Sequence, residues 1–357
     1  MLYNQLIMVS TDTEAFIAAD QVFMAESREM TSLDLLELHR DNLFSAVETA
    51  DDELDRPVVA EFFDRAHDWL TNNTDPGRTR LGAVRRDLDK AVGACAWRKL
   101  DIPSEIPQSA ATFDLFRQHG MGPRADYYEY AVGMHDGPGA VYGGDDREQA
   151  LVKIFGDGIE LAHTGIYGLL RTRDIIRQGD DIASAAEPLQ QALASSLGIQ
   201  RRMADAYREV GAAFVALRVT RYFRAIKYDG GAYEGPNPSH SGFLTFDRLV
   251  VGSVRRFLSD KPKLAAQYQY RESDVPPHHK DLLAVIEGSD DVDIIEMTAG
   301  TALEPTARAL LASLRKTKVT HKSYADAGLV AAGKKLTHPD DDVLGPTIDH
   351  VRRLAHK

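Results

Sequence analysis

Three side chains and one glycine-rich bend carry most of the chemistry this sequence could perform. His321, in Lys318-Val-Thr-His321, sits late in a helical run with apolar Leu310, Leu311, Leu314 and Val319. Its imidazole could ligate a metal or haem iron if it faces inward and a second group fixes its tautomer. Taken alone it reads first as a solvated or core-satisfied helix histidine. Arg218 shares a helical run with Phe214, Val215 and Leu217. Its planar fork suits a substrate carboxylate if it faces a cavity; otherwise it is an ordinary surface arginine. Asp247 lies between Phe246 and Leu249. It is either a helix-surface acid paired with Arg248 or a nearby lysine, or a buried acid that needs a cation. The bend from Gly230 to Gly242 holds four glycines and two prolines. By composition it is a loop, yet its length between helices favours a binding role, and its glycines would let backbone approach a flat ligand.

Other chemistries find less support. There are 12 histidines, but HExxH is absent. His278 and His279 are adjacent, so on a helix they should diverge and not chelate jointly. A nonhaem site of two histidines and one carboxylate would have to be assembled from distant residues, and no spacing marks one. No dinucleotide fingerprint, phosphate loop or Gly-x-Ser-x-Gly elbow occurs. Cys95 is the only cysteine, which excludes an internal disulfide, a Cys-rich zinc site and an iron–sulfur cluster. Its neighbours Ala94, Ala96 and Trp97 suggest an inert, buried helix position.

The elements that must position these residues are helices. Apolar residues three and four apart recur over 33–47, 55–71, 78–98, 145–177, 183–208, 209–227, 243–259, 277–287, 303–332 and 343–356, while alternating strand patterns are nearly absent. The expected class is therefore all-α. Residues 127–133 read as a short strand or a buried helix start, and 334–340 as a polar, mobile stretch. Gly120-Met-Gly-Pro-Arg124 is the best candidate boundary, giving a small N-terminal helical domain over 1–124 and a larger one over 125–357. The chain has 357 residues, a net charge of −12 and 43% apolar content. That acidity argues against nucleic acid as a partner. No apolar run long enough to span a membrane and no secretory signal are evident, so a cytoplasmic location is the default expectation.

The motifs occur in an order that resembles the indoleamine 2,3-dioxygenase-like superfamily of haem proteins. Within it, the chain is most similar to the monodechloroaminopyrrolnitrin synthase family, which shows a GGxxYxGP stretch and then a helix ending in Gly-Ser. Here these are Gly230-Gly-Ala-Tyr-Glu-Gly-Pro236 and Gly252-Ser253. The dioxygenases proper show YEG, a Ser/Gly loop, FDxLxG and PPxHR. The counterparts here are Tyr233-Glu-Gly235, Ser239-His-Ser-Gly242, Phe246-Asp-Arg-Leu-Val-Val-Gly252 and Pro276-Pro-His-His-Lys280. The resemblance covers about residues 126–330. Each motif is short; their shared order and spacing carry the specificity.

The resemblance implies a helical domain that binds haem b, with His321 as proximal iron ligand. Lys318 stands where the dioxygenases place an arginine, and Asp247 matches the acid paired with it behind the haem. Phe246, Ser239 and Gly242 would line the cofactor. Arg218 matches the arginine that holds an amino-acid carboxylate, with Phe214 beside it. Phe155 and Gly156 fall near the distal position, and His163 lies two turns along the same helix, where plain packing is the competing reading. The implied activity is oxidation of tryptophan or a tryptophan-derived indole with O2, as a tailoring step in natural-product biosynthesis. Ring cleavage to N-formylkynurenine and a non-catalytic haem sensor are the alternatives, and an external reductant belongs among the expected partners. Two departures stand out. Residues 334–340 lack the glycine cluster that closes over substrate in the dioxygenases, and Gly156 offers no side-chain hydrogen bond to bound oxygen.

Overall fold

The computed structural model describes residues 13–30, 56–132, 145–233, 235–236, 242–253, 258, 265, 275–288, 293–333 and 344–355. The expected helix over 33–47, Ser239 and the stretch 334–340 lie outside them. The described chain is mainly helical, with one two-stranded hairpin. Among the described residues no helix is long and apolar enough to cross a membrane.

In chain order the helices are α1 (Thr13–Arg28), α2 (Arg56–Asn72), α3 (Gly77–Arg98), α4 (Ile102–Glu105), α5 (Gln108–Gln118), α6 (Asp146–Gln178), α7 (Ala186–Glu209), α8 (Ala212–Phe214), α9 (Thr220–Tyr222), α10 (Gly242–Val251), α11 (Pro277–Gly288), α12 (Ile294–Thr298), α13 (Glu304–Ala331) and α14 (Leu344–Ala355). The residues form two compact units: Met1–Phe23, Asp157–Arg208 and Pro238–Lys357 make one, Met24–Gly156 and Glu209–Asn237 the other. Each draws on separate stretches of chain, and the boundary expected after residue 124 falls within the second unit.

The first unit gathers α10 to α14 and much of α6 and α7 around one apolar core. Leu310, Leu311 and Leu314 of α13, Leu244, Phe246 and Leu249 of α10, and Ile166 and Leu169 of α6 meet there. The spacing of these leucines on α13 puts them on one face, the periodicity visible in the sequence. α10 is buried on nearly every side. It ends at Val251, not at residue 259, because Gly252 takes a left-handed φ of 78° and its N–H bonds the Arg248 carbonyl at 2.8 Å, the helix-stopping geometry that glycine favours. Arg248 then pairs with Glu287, and Ser253 donates to the same carboxylate at 2.8 Å. These contacts tie α10 to α11.

The second unit is organised by α3, which is buried from Leu81 to Ala96. A helix enclosed on all faces would normally be apolar; this one carries Arg85, Asp89 and Lys90 inside. Arg85 holds Glu129 with Nε–Oε2 at 2.9 Å and Nη2–Oε1 at 2.6 Å. Asp89 accepts from Arg124 Nε at 2.5 Å. Glu129 sits on a buried π-helical turn, Tyr128–Val132, where the sequence left strand or helix open. Two other expectations change. The helix over 209–227 is broken by a second π-helical stretch, Val215–Val219, and stops at Tyr222. The glycine bend begins as a hairpin, with β1 (Ile226–Tyr228) pairing antiparallel to β2 (Gly231–Tyr233). Asp229 and Gly230 turn the chain with φ of 47° and 77°, as a tight hairpin turn requires.

Burial pushes the Glu129 carboxyl up to about 7; Arg85 pulls it down and Asp126 pushes it further up. A carboxyl raised in the folded state contributes stability below its ordinary value of 4.5, and this is lost as pH rises through about 7. Glu129→Gln should remove that dependence. Chemical denaturation across pH 4.5 to 8 should show the variant gaining on the wild type up to about pH 7 and then levelling. Cys95 is fully buried, and burial pushes its thiol up to about 12. A thiol reagent at pH 8 should modify it only after the chain is unfolded.

Candidate functional site

In the first unit, α13 carries Lys318 and His321 one turn apart, and α10 carries Asp247. Lys318 Nζ bonds Asp247 Oδ2, and each side chain is 15% exposed. Burial raises the Asp247 carboxyl above its ordinary range, against the pull of Lys318 and Arg248. Of the two partners the sequence allowed, Lys318 makes the direct bond, while Arg248 turns to Glu287 and the Gly252 carbonyl. His321 is half-buried. One turn on, the buried Tyr324 packs edge-on against Tyr207 at 5.2 Å, and its hydroxyl has no hydrogen-bond partner among the described residues. Phe246 is 2% exposed and belongs to the core.

The second unit holds the residues expected to meet substrate. Arg218 is exposed, on the π-helical stretch Val215–Val219. Its charge helps hold Asp145 below the usual carboxylate range, chiefly the work of Arg147. Phe214 is buried beneath the Arg147 guanidinium, 4.1 Å from the ring centre. Phe155 meets Tyr127 edge-on at 5.5 Å, and Gly156 is buried on α6. Gly235 of the motif has a structural cause. A Cβ there would lie 2.5 Å from Arg124 Nη2 and 2.8 Å from the Phe223 backbone. Arg124 must pass that point to donate to the Tyr222 and Arg224 carbonyls at 2.6 and 2.7 Å.

A third arrangement, in the first unit, was not foreseen. Asp20, on α1, is fully buried. Its Oδ1 accepts from His278 Nε2 at 2.8 Å and His279 Nε2 at 2.9 Å. Its Oδ2 meets His163 Nδ1 at 2.5 Å and accepts from the Tyr167 hydroxyl at 2.8 Å. His163 and Tyr167 lie four apart on α6 and so share a face. His279 Nδ1 bonds Thr245 Oγ1, on α10, at 2.7 Å. Burial opposes ionisation of Asp20, but the imidazoles around it, His163 foremost, hold its carboxyl well below the usual range. Burial lowers His279 to about 4 in spite of Asp20.

The expectation that His278 and His279 must diverge is therefore corrected. Their backbones do point about 100° apart, but each ring is long enough to return to a shared oxygen. The rings stand 4.7 Å apart and inclined at 73°. The carboxylate the two rings share, Asp20, is distant in sequence, and no spacing marked it. The expectation missed it because α1 was not read as a helix at all. Its buried stripe, Thr13, Ile17, Asp20, Met24 and Ser27, is more than half polar, so apolar periodicity could not reveal it. His163 and Gly242, expected near the cofactor, meet here: a Cβ at Gly242 would lie 2.7 Å from His163 Nε2.

No protein-family model matches the chain, and no curated protein matches it.

Gly242→Ala should force the buried His163 ring off Asp20, since neither the ring nor the helix can yield freely. The expected cost is about 1–3 kcal/mol, read as a lower denaturation midpoint. An unchanged midpoint would show that the helices accommodate the methyl group.

Proposed function

We propose that this protein is a haem b-dependent oxygenase with the helical arrangement of the indoleamine 2,3-dioxygenase-like superfamily, acting on tryptophan or a tryptophan-derived indole with O2 as a natural-product tailoring step. The observation that carries this reading is the Lys318–Asp247 ion pair, one helical turn from His321. The resemblance requires a cation–acid pair in that place, and neither apolar periodicity nor local spacing would bring residues 71 apart together.

The donor chemistry fits the group. A neutral imidazole at His321 would hold haem iron, with Lys318 and Asp247 behind it. Bound haem would supply O2 binding and activation. Lys318 bonded to Asp247 keeps the acid from acting as a bare anion, which moderates the basicity of the neighbouring imidazole. Arg218 would hold the substrate carboxylate through its fork and orient the indole, so that rate enhancement comes from positioning. The product would then carry one added oxygen, with the second oxygen atom leaving as water at the expense of two electrons from an external reductant, or a rearranged indole.

Protein made under haem-replete conditions should show a Soret band that His321→Ala abolishes. Lys318→Met should keep the haem and shift its reduction potential. Arg218→Ala should keep the band but weaken the tryptophan-induced spectral change by at least tenfold, about 1.5 kcal/mol or more for a lost charged hydrogen bond. A wild type without a Soret band, or one whose band survives in His321→Ala, would overturn the reading.

A further inference from the structure

We infer that Asp20, His278 and His279 form a site for one divalent transition-metal ion, held by two imidazole nitrogens and one carboxylate oxygen. This inference does not depend on the haem reading and uses none of the residues assigned to it except His163 in a supporting role.

The three donor atoms lie within 4.8 Å of one another. An ion at about 2.0–2.2 Å from each would need donors about 3.0–3.5 Å apart. The present separations of 2.8 and 2.9 Å from Asp20 Oδ1 to the two nitrogens are those of hydrogen bonds. These two separations must open by a few tenths of an ångström for an ion to sit between the carboxylate oxygen and each nitrogen. The ion then takes the place of the Nε2–H groups: a neutral imidazole shifts its single proton from Nε2 to Nδ1, where for His279 the Thr245 hydroxyl can accept it, and its Nε2 lone pair is left for the ion.

The surroundings have the form of a supported ligand set. Asp20 divides its oxygens: Oδ2 is held by His163 and Tyr167, which fix the carboxylate, while Oδ1 is turned to His278 and His279. The Thr245 hydroxyl can accept from His279 Nδ1–H, a tautomer that frees the Nε2 lone pair. Phe16 packs on His278 and His279 at 5.4 and 5.3 Å, and Phe23 on His278 at 5.4 Å. That apolar shell lowers the local dielectric and strengthens the attraction of the lone carboxylate for a cation. Asp20, His163 and His279 are at most 3% exposed as side chains, whereas His278 is 20% exposed and forms the edge by which an ion would enter.

The donor set selects the ion. Two imidazoles and one carboxylate suit Zn2+, Fe2+ or Co2+; Ca2+ and Mg2+ prefer all-oxygen shells. Three protein ligands leave at least one position for water or another small ligand.

The test uses the full-length protein, stripped with a chelator and titrated with Co2+. Ligand-field absorption and metal content after desalting are the readouts. One Co2+ per chain is expected, displaced by Zn2+, with a higher melting temperature for the loaded protein. Asp20→Asn and His279→Gln should abolish stoichiometric binding. His278→Gln, at the exposed edge, should weaken it at least 100-fold while keeping the wild-type helical circular dichroism. His163→Gln should weaken it about 10–100-fold, as expected of a group that orients a ligand. His321→Ala must leave the titration unchanged, whatever it does to the Soret band. No stoichiometric ion in the wild type, equal binding in a folded His278→Gln, or loss of binding in His321→Ala would each overturn the inference.

Discussion

A charge taken out of water must find its partner inside, and both units of this protein are arranged around that constraint. In the first, the buried Asp20 is met by three imidazoles and a tyrosine hydroxyl drawn from α6 and α11. In the second, α3 places Arg85 and Asp89 in the interior, and the chain after α5 returns Glu129 and Arg124 to them. An unpaired buried charge costs several kcal/mol, so these contacts fix where elements far apart in sequence must lie. Apolar burial supplies the general drive to fold; the charged contacts decide which packing is accepted.

Two centres of possible chemistry in the first unit follow from this, and they differ in kind. Lys318 and Asp247 form an ion pair of their own, one helical turn from the half-buried His321. Asp20 has no lysine or arginine bonded to it among the contacts described, only groups that are neutral until they bind a proton or a metal ion. A single negative charge in an apolar shell of Phe16 and Phe23 favours a small cation. The two side-chain groups share no residue.

Much of the helical order was legible from periodicity. The edges of α2, α3, α6, α11 and α13 fall within a residue or two of where apolar spacing puts them. What escaped has specific causes. α1 hides its face because polar residues fill its buried stripe. The π-helical stretch Val215–Val219 replaces ordinary helix because it widens one turn, which side-chain patterns do not register. The hairpin at Ile226–Tyr233 is too short for alternation to rise above noise. The pairing of Lys318 with Asp247 was reached only through motif order, since 71 residues separate them.

By itself the sequence determined the mainly helical class, the inert burial of Cys95, and the one-turn spacing of Lys318 and His321, because each depends on residues close together in the chain. Only the tertiary structure decided that Asp20 meets His278 and His279 across 258 and 259 positions, and that two adjacent histidines converge instead of diverging. Local periodicity fixes where a Cα–Cβ bond points, but not where the far end of a ring comes to rest. That is set by the partner a buried charge requires.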